Sequence, residues 1–257
     1  MRKKWCKSLQ VISVIIISVL ISCSSVRLKE IKSEVAESYL KGGNVYFQKG
    51  EYDQALLYFN RALEIDPKYA EAYYGRGSVY CYSKKKQFEQ AISDLTKALE
   101  INPEYVEAYI NRGFVYGEKG EFDQAISDFN KALEINPMSC EAYINRGAVY
   151  REKGEYGRSL SDFTKALEIN PKNAKAYNNR GIIYGEIEQY DRAISDFSKA
   201  LEIDPGYTLA YYNRGFFYYL KEDYDKSWND INQARESGYQ IPPEFLNQLR
   251  KVSGREK

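Results

Sequence analysis

The stretch that decides the fold runs from Val106 to Ser139 and reads "VEAYINRGFVYGEKGEFDQAISDFNKALEINPMS". Two apolar patterns of helical period lie in it, divided at Gly120 and closed at Asn136-Pro137. The first predicts a helix from about Val106 to Lys119, and the second a helix from about Phe122 to Ile135. Glycine punctuates the first. Proline ends the second, because it has no amide hydrogen and disfavours helix in the residue before it.

The same unit recurs on both sides. Pro67, Pro103, Pro137, Pro171 and Pro205 each follow "LEID" or "LEIN", at one interval of 36 residues and then three of 34. Six copies cover residues 36–69, 70–105, 106–139, 140–173, 174–207 and 208–240. The two extra residues of the second copy fall in its turn, beside Lys84-Lys85-Lys86, a charge run that reads as a solvated loop. Glycine stands at 43, 77, 113, 147, 181 and 215, and alanine at 62, 98, 132, 166, 200 and 234. Tyr46, Tyr80, Tyr116, Tyr150, Tyr184 and Tyr218 on the first helix, and Phe59, Leu95, Phe129, Phe163, Phe197 and Ile231 on the second, supply the bulk that fills the space around them. Residues 241–257 follow, with a predicted capping helix from Pro242 to about Val252 whose Phe245, Leu246 and Leu249 lie on the last repeat.

These units resemble tetratricopeptide repeats in length, in hairpin form and in the pattern Tyr109, Gly113, Tyr116, Ala125, Phe129, Ala132 and Pro137. The resemblance implies an all-α, right-handed superhelical solenoid of helix-turn-helix repeats, with a concave groove that takes an extended peptide or a partner helix. Departures are small: Ser159 and Ser227 replace the alanine of the Ala125 column, and the sixth repeat lacks its proline. Some members grip a partner's C-terminal carboxylate with a clamp of lysine, arginine and asparagine. Here Asn44 is in place but Leu40, Gly75 and Glu107 occupy the other positions, so that clamp is not expected.

Charges recur inside the apolar arcs. Arg76, Arg112, Arg146, Arg180 and Arg214 occur together with Asp94, Asp128, Asp162, Asp196 and Asp230, whereas the first repeat has Gly42 and Tyr58 at the two positions. Joint presence and joint loss are what a buried ion pair requires, since stranding one partner costs about 3–5 kcal/mol and replacing both can be neutral. Pairing within a repeat leaves no orphan. Pairing with the preceding repeat would strand Arg76 and Asp230, and whole-unit duplication also explains the co-occurrence.

The opposite face of the first helices carries the candidate binding residues. Asn111, Asn145, Asn179 and Asn213 would stack along the groove, and an amide can both donate to and accept from a peptide backbone. Tyr74, Ile110, Phe114, Ile144, Ile182, Tyr212 and Phe216 intersperse them as an apolar patch expected to be exposed. Glu37, Glu71, Glu107, Glu141, Glu118, Glu152 and Glu186 rim it, which favours a basic and apolar peptide or protein.

The chain opens "MRKKWCKSLQVISVIIISVLISCSS", a basic segment, an apolar core from about Leu9 to Ile21, then small residues, as in a secretory signal. Leu20-Ile21-Ser22-Cys23 resembles the bacterial lipobox, which implies a signal peptide over 1–22, lipid on Cys23, and a linker over 23–35. An uncleaved anchor over Leu9–Val26 competes poorly because Gln10 and serines interrupt it; a plain signal peptide is the other alternative. Cys81 and Cys140 are expected to be free thiols.

Composition narrows the function. With 25 Tyr and no His, the chain has no imidazole for acid–base catalysis or metal ligation. Without residues 1–22, which hold Arg2, Lys3, Lys4, Lys7 and no acid, the balance of 37 basic and 36 acidic residues turns net negative, which does not suit nucleic acid. The expected molecule is a non-catalytic, cofactor-free, metal-free scaffold, lipid-anchored to an extracytoplasmic face of a bacterial envelope (the outer membrane, where there is one). A self-associating structural envelope protein is the alternative.

Overall fold

The computed structural model describes residues 27–83 and 87–255. The signal segment with Cys23 and the Lys84-Lys85-Lys86 run lie outside the described residues. Every regular element among them is a helix: α1 (residues 27–48), α2 (Tyr52–Ile65), α3 (Ala70–Tyr82), α4 (Phe88–Ile101), α5 (Val106–Glu118), α6 (Phe122–Ile135), α7 (Cys140–Glu152), α8 (Tyr156–Ile169), α9 (Ala174–Glu186), α10 (Tyr190–Ile203), α11 (Thr208–Leu220), α12 (Tyr224–Glu236) and α13 (Pro243–Ser253). The chain forms two compact units, one ending at Val115 and the other starting at Tyr116. In the first, α3 packs on α2 and α4; in the second, α7–α8, α9–α10 and α11–α12 are hairpins joined by the α6–α7, α8–α9 and α10–α11 contacts. Helix α1 starts at residue 27, ahead of the first repeat, so part of the expected linker is helical.

Local chemistry sets the helix ends. The residue before each repeat proline closes its helix in an extended conformation, and its side-chain oxygen then accepts the backbone N–H two residues on. Asp66 does this to Lys68, Asn102 to Glu104, Asn136 to Met138, Asn170 to Lys172 and Asp204 to Gly206, at 2.9–3.1 Å. The Asx turn steps over the proline, which has no N–H to offer. Between the helices of a hairpin the chain passes through the left-handed region, at Gly50, Gly120 and Gly154 but at Glu188 (φ 60°) and Glu222 (φ 61°) in the last two repeats.

The small and large columns interlock. Every alanine of the column from Ala62 to Ala234 is fully buried, as are Phe59, Leu95, Phe129, Phe197 and Ile231 facing them. A Cβ on Gly181 would sit 2.8 Å from the Phe197 ring, so only glycine permits that approach. Ser159 and Ser227, in the Ala125 column, donate to the carbonyls of Gly147 and Gly215 at 2.7 and 2.8 Å, so their hydroxyls enter the core satisfied. The tyrosine column is less buried than its pattern predicts: Tyr150 is covered, but Tyr46, Tyr80, Tyr116, Tyr184 and Tyr218 are half-buried. Cations lie over several rings of the column, Lys49 over Tyr46, Arg180 and Arg192 over Tyr184, Lys226 over Tyr218, and Arg146 and Arg158 over the covered Tyr150. The thiols of Cys81 and Cys140 are free, and burial pushes that of Cys81 up to about 12.

Four arginines of the inward column, Arg76, Arg146, Arg180 and Arg214, each bridge three helices. Arg146 on α7 donates from Nε and Nη2 to both oxygens of Asp162 on α8, at 2.8 and 2.7 Å, and from Nη1 to Asn130 Oδ1 on α6 at 2.5 Å. Arg180 and Arg214 repeat the fork on Asp196 and Asp230, with Nη1 on Thr164 and Ser198; Arg76 does so on Asp94 and Asn60. The carboxylate thus comes from the arginine's own hairpin, and a neutral acceptor from the preceding one. Hydrogen bonds to Asp94 and Asp196 raise the guanidinium pKa of Arg76 and Arg180 above the ordinary arginine value. Arg112 places Nη1 on Thr96 at 3.0 Å, and Asp128 is buried. The acceptor column Asn60, Thr96, Asn130, Thr164 and Ser198 escapes a reading that looks only for opposite charges.

The ends differ for a physical reason. Among the described residues no second helix precedes α1, so an arginine at position 42 would find no third partner. Gly42 instead lets Tyr58 approach to where a Cβ would be 2.4 Å away, and Tyr58 leans on Tyr46 and Tyr39 at 5.0 and 5.8 Å. At the other end α13 has the register of a seventh first helix: Phe245 and Leu249 stand 34 residues after Tyr211 and Gly215. It carries Leu249 where the repeats carry glycine, and that leucine is fully buried in one cluster with Trp228 and Ile231.

Two expectations about stability follow. Arg146→Leu, which strands a carboxylate beside a guanidinium site only 18% exposed, costs about 2–3 kcal/mol in urea unfolding, and Asp162→Phe added to it recovers at least about 1 kcal/mol; additive losses would show the two side chains uncoupled. Glu188→Gly and Glu222→Gly each stabilise the chain by about 1 kcal/mol by relieving left-handed backbone, and an unchanged urea midpoint would show that this backbone carries no strain.

Candidate functional site

The face of the first helices that points away from the arginine struts is not uniformly open. Ile110 and Ile144, expected to be exposed, are 3% and 6% exposed. They are packing residues, and the apolar patch is correspondingly smaller than the sequence suggests. Tyr74 is half-buried against Tyr105, with ring centroids 4.9 Å apart, and Phe114 stacks on Tyr82 at 6.1 Å. Tyr212 and Phe216 are half-buried under the cap, where Phe245 lies 6.1 and 5.6 Å from them and Tyr239 lies 4.7 Å from Tyr212. The final helix therefore occupies part of the face that these two would have offered. Ile182 remains half-buried.

The asparagine column divides into two kinds. Asn111 is buried and donates through Nδ2 to Ser78 Oγ at 2.9 Å, one first helix back. Asn213 donates to Asn178 Oδ1 at 2.9 Å, again one first helix back. These two tie successive hairpins together. Asn145 and Asn179 are half-buried, and neither side chain has a hydrogen-bond partner among the described residues. For Asn179 the reason is visible in the neighbouring helix, which carries Ile144 and Ala148 at the corresponding positions. Two amides on consecutive first helices of the second unit are thus left with both donor and acceptor capacity.

Their surroundings are acidic. Glu141, Glu152 and Glu186 are exposed on the same helices, and in the first unit Glu37, Glu71 and Glu107 are exposed likewise. Arg151 pairs with Glu152, and Tyr156, whose hydroxyl pKa is raised by Glu186, sits against that carboxylate. Among the described residues no group of three or more His, Cys, Asp and Glu side chains is placed to hold a metal ion, and no helix is long and apolar enough to cross a membrane.

Two arrangements escape the sequence reading. Asn178 is fully buried where the other repeats place Tyr74, Ile110, Ile144 and Tyr212, and its Nδ2 has no partner among the described residues. The polar break in that apolar column was the signal. On the outer edge, Asp123 pairs with Lys153 and Asp225 with Arg255, each at 2.6 Å, and Asp191 with Lys221. The spacing is 30 residues, and where the fourth repeat has Gly157, the fifth has Ile187, so both charges vanish together. Such exposed pairs contribute little to stability, but comparison between repeats would have found them.

Comparison with known proteins adds the relationship. A family model described as "TPR repeat" matches residues 43–81, 82–120 and 147–188, and one described as "Tetratricopeptide repeat" matches 106–139 and 174–207. No curated protein matches the chain. Among solved structures, a tetratricopeptide repeat protein from Parabacteroides merdae is 24% identical with TM-score 0.64, over 85% of this chain and 84% of its own. PilF of Pseudomonas aeruginosa superposes with TM-score 0.73 at 19% identity, over 84% of this chain and 99% of its own. YrrB, described as a TPR protein with an unusual peptide-binding site, is 29% identical with TM-score 0.55, over 72% of this chain and 94% of its own.

The division of the asparagines has a measurable consequence. Asn111→Ala removes a buried hydrogen bond to Ser78, whose hydroxyl keeps its bond to the Tyr74 carbonyl, and lowers unfolding free energy by about 1 kcal/mol, whereas Asn145→Ala changes it by less than about 0.5 kcal/mol. Equal losses in urea titrations of the two variants would show that Asn145 is a structural residue too.

Proposed function

This chain belongs to the tetratricopeptide repeat family, and from that membership we propose that it is a non-catalytic scaffold, anchored by lipid at Cys23, that holds an extended basic and apolar peptide across α7 and α9. Proteins of this family mediate contacts between proteins. The observation that carries the reading is the pair of uncommitted amides, Asn145 and Asn179, on consecutive first helices. An extended peptide presents alternating backbone donors and acceptors. An amide side chain can meet both without reading sequence, so it suits a groove that takes a class of peptides. Ile182 offers apolar contact, and Glu141, Glu152 and Glu186 favour cationic side chains. The peptide-binding site of YrrB, to which the chain is similar, supports a peptide ligand.

Selection of random displayed peptides on the immobilised full chain tests the reading. Enriched peptides are expected to be basic and apolar, and Asn145→Ala with Asn179→Ala together to weaken the best of them about tenfold, the worth of one or two neutral hydrogen bonds. Undiminished binding by the double variant, or enrichment of acidic peptides, overturns it.

A further inference from the structure

Helix α1 begins ahead of the repeat to which it belongs, and all residues of its first two and a half turns, 27 to 35, are exposed. Yet this segment is not polar all round. Leu28, Ile31 and Val35 are 56%, 48% and 41% exposed and fall within an arc of about 60° at 100° per residue. Lys32 and Arg27 flank that arc, each about 40° beyond its edges; Glu34 lies about 60° beyond the Arg27 edge and Lys29 about 100° beyond the other, while Glu30 and Ser33 lie on the far side. An apolar stripe bordered by long cations is the pattern of a helix lying in a lipid–water interface, where the cations reach back to the headgroups.

Position selects the occupant. Leu28 stands five residues after Cys23, a span of at most about 18 Å even fully extended. Three half-exposed aliphatic side chains also offer only a few hundred Å² of apolar surface, short of the roughly 1,000 Å² that a stable interface with a second copy needs. A lipid surface has no such threshold, and the two flanking cations match an anionic one.

We propose that residues 27–35 form a membrane-surface helix that lays Leu28, Ile31 and Val35 into the headgroup layer of an anionic bilayer and so sets where the first hairpin stands above it. This rests on the lipid-anchor reading of Cys23. Further along the same helix, about 40° beyond the arc, Val45 is 49% exposed, whereas its counterparts Val79, Val115 and Val149 are buried.

The test uses the full chain reconstituted in vesicles of phosphatidylethanolamine and phosphatidylglycerol, with an environment-sensitive fluorescent amino acid in place of Ile31, Val35 or Ser33. Nitroxide lipids are expected to quench positions 31 and 35 about threefold more than position 33, and Arg27→Glu with Lys32→Glu to reduce that contrast. Equal quenching at the three positions overturns the proposal. So does shielding of 31 and 35 that rises with protein concentration and ignores the lipid, the signature of a second copy. The mass of the same samples reports lipid on Cys23 separately: contrast without lipid retains the surface helix and removes the anchor reading, and lipid without contrast does the reverse.

Discussion

A guanidinium can fork onto both oxygens of one carboxylate and still have a nitrogen to spare, and the repeats are assembled around that surplus. Arg146 spends two donors on Asp162 of its own hairpin and the third on Asn130 of the helix before it. The carboxylate fixes how the two helices of a hairpin meet, and the third bond fixes their register on the preceding hairpin. Buried pairs of this kind add little net stability, because desolvation offsets much of the attraction, but they penalise every misaligned arrangement heavily. Alanine and phenylalanine columns alone are non-directional and would tolerate sliding. The strut removes that freedom.

The same logic explains the two places where the strut is missing. Among the described residues no helix precedes α1 to receive the third donor, and Gly42 with Tyr58 sets an aromatic contact in place of the charge pair. Among them none follows α13 to supply a carboxylate, and Leu249 of α13 fills the space that glycine leaves open elsewhere. Both substitutions trade polar specificity for apolar fill where the polar partner no longer exists. A repeat protein is in this sense a set of nearest-neighbour contacts with modified ends.

Binding surface is what remains after these contacts are made. The face presented by the first helices is partly consumed by the assembly: Ile110 and Ile144 are buried, Asn111 and Asn213 tie hairpins together, and α13 covers Tyr212 and Phe216. What stays without a hydrogen-bond partner among the described residues is the amides of Asn145 and Asn179, with half-buried Ile182 and exposed Glu141 on the same helices. A groove residue in such an array is defined as much by what its neighbour cannot do as by its own chemistry.

The sequence by itself determined the hairpins, their period, the charged columns and the cap, because helical periodicity, Asx-Pro stops and turn glycines act over a few residues and recur from repeat to repeat for comparison. Which carboxylate each arginine meets was legible only as a preference, and the third acceptor at Asn130 or Thr164 was hidden, since a neutral side chain gives no charge signal. The tertiary structure alone decided which asparagines of one column are free. Four residues of the same type at the same repeat position are identical by sequence pattern. They differ because Asn111 finds the Ser78 hydroxyl and Asn213 finds the Asn178 amide, whereas Asn145 and Asn179 find no acceptor, and a hydrogen bond needs a partner within about 3 Å.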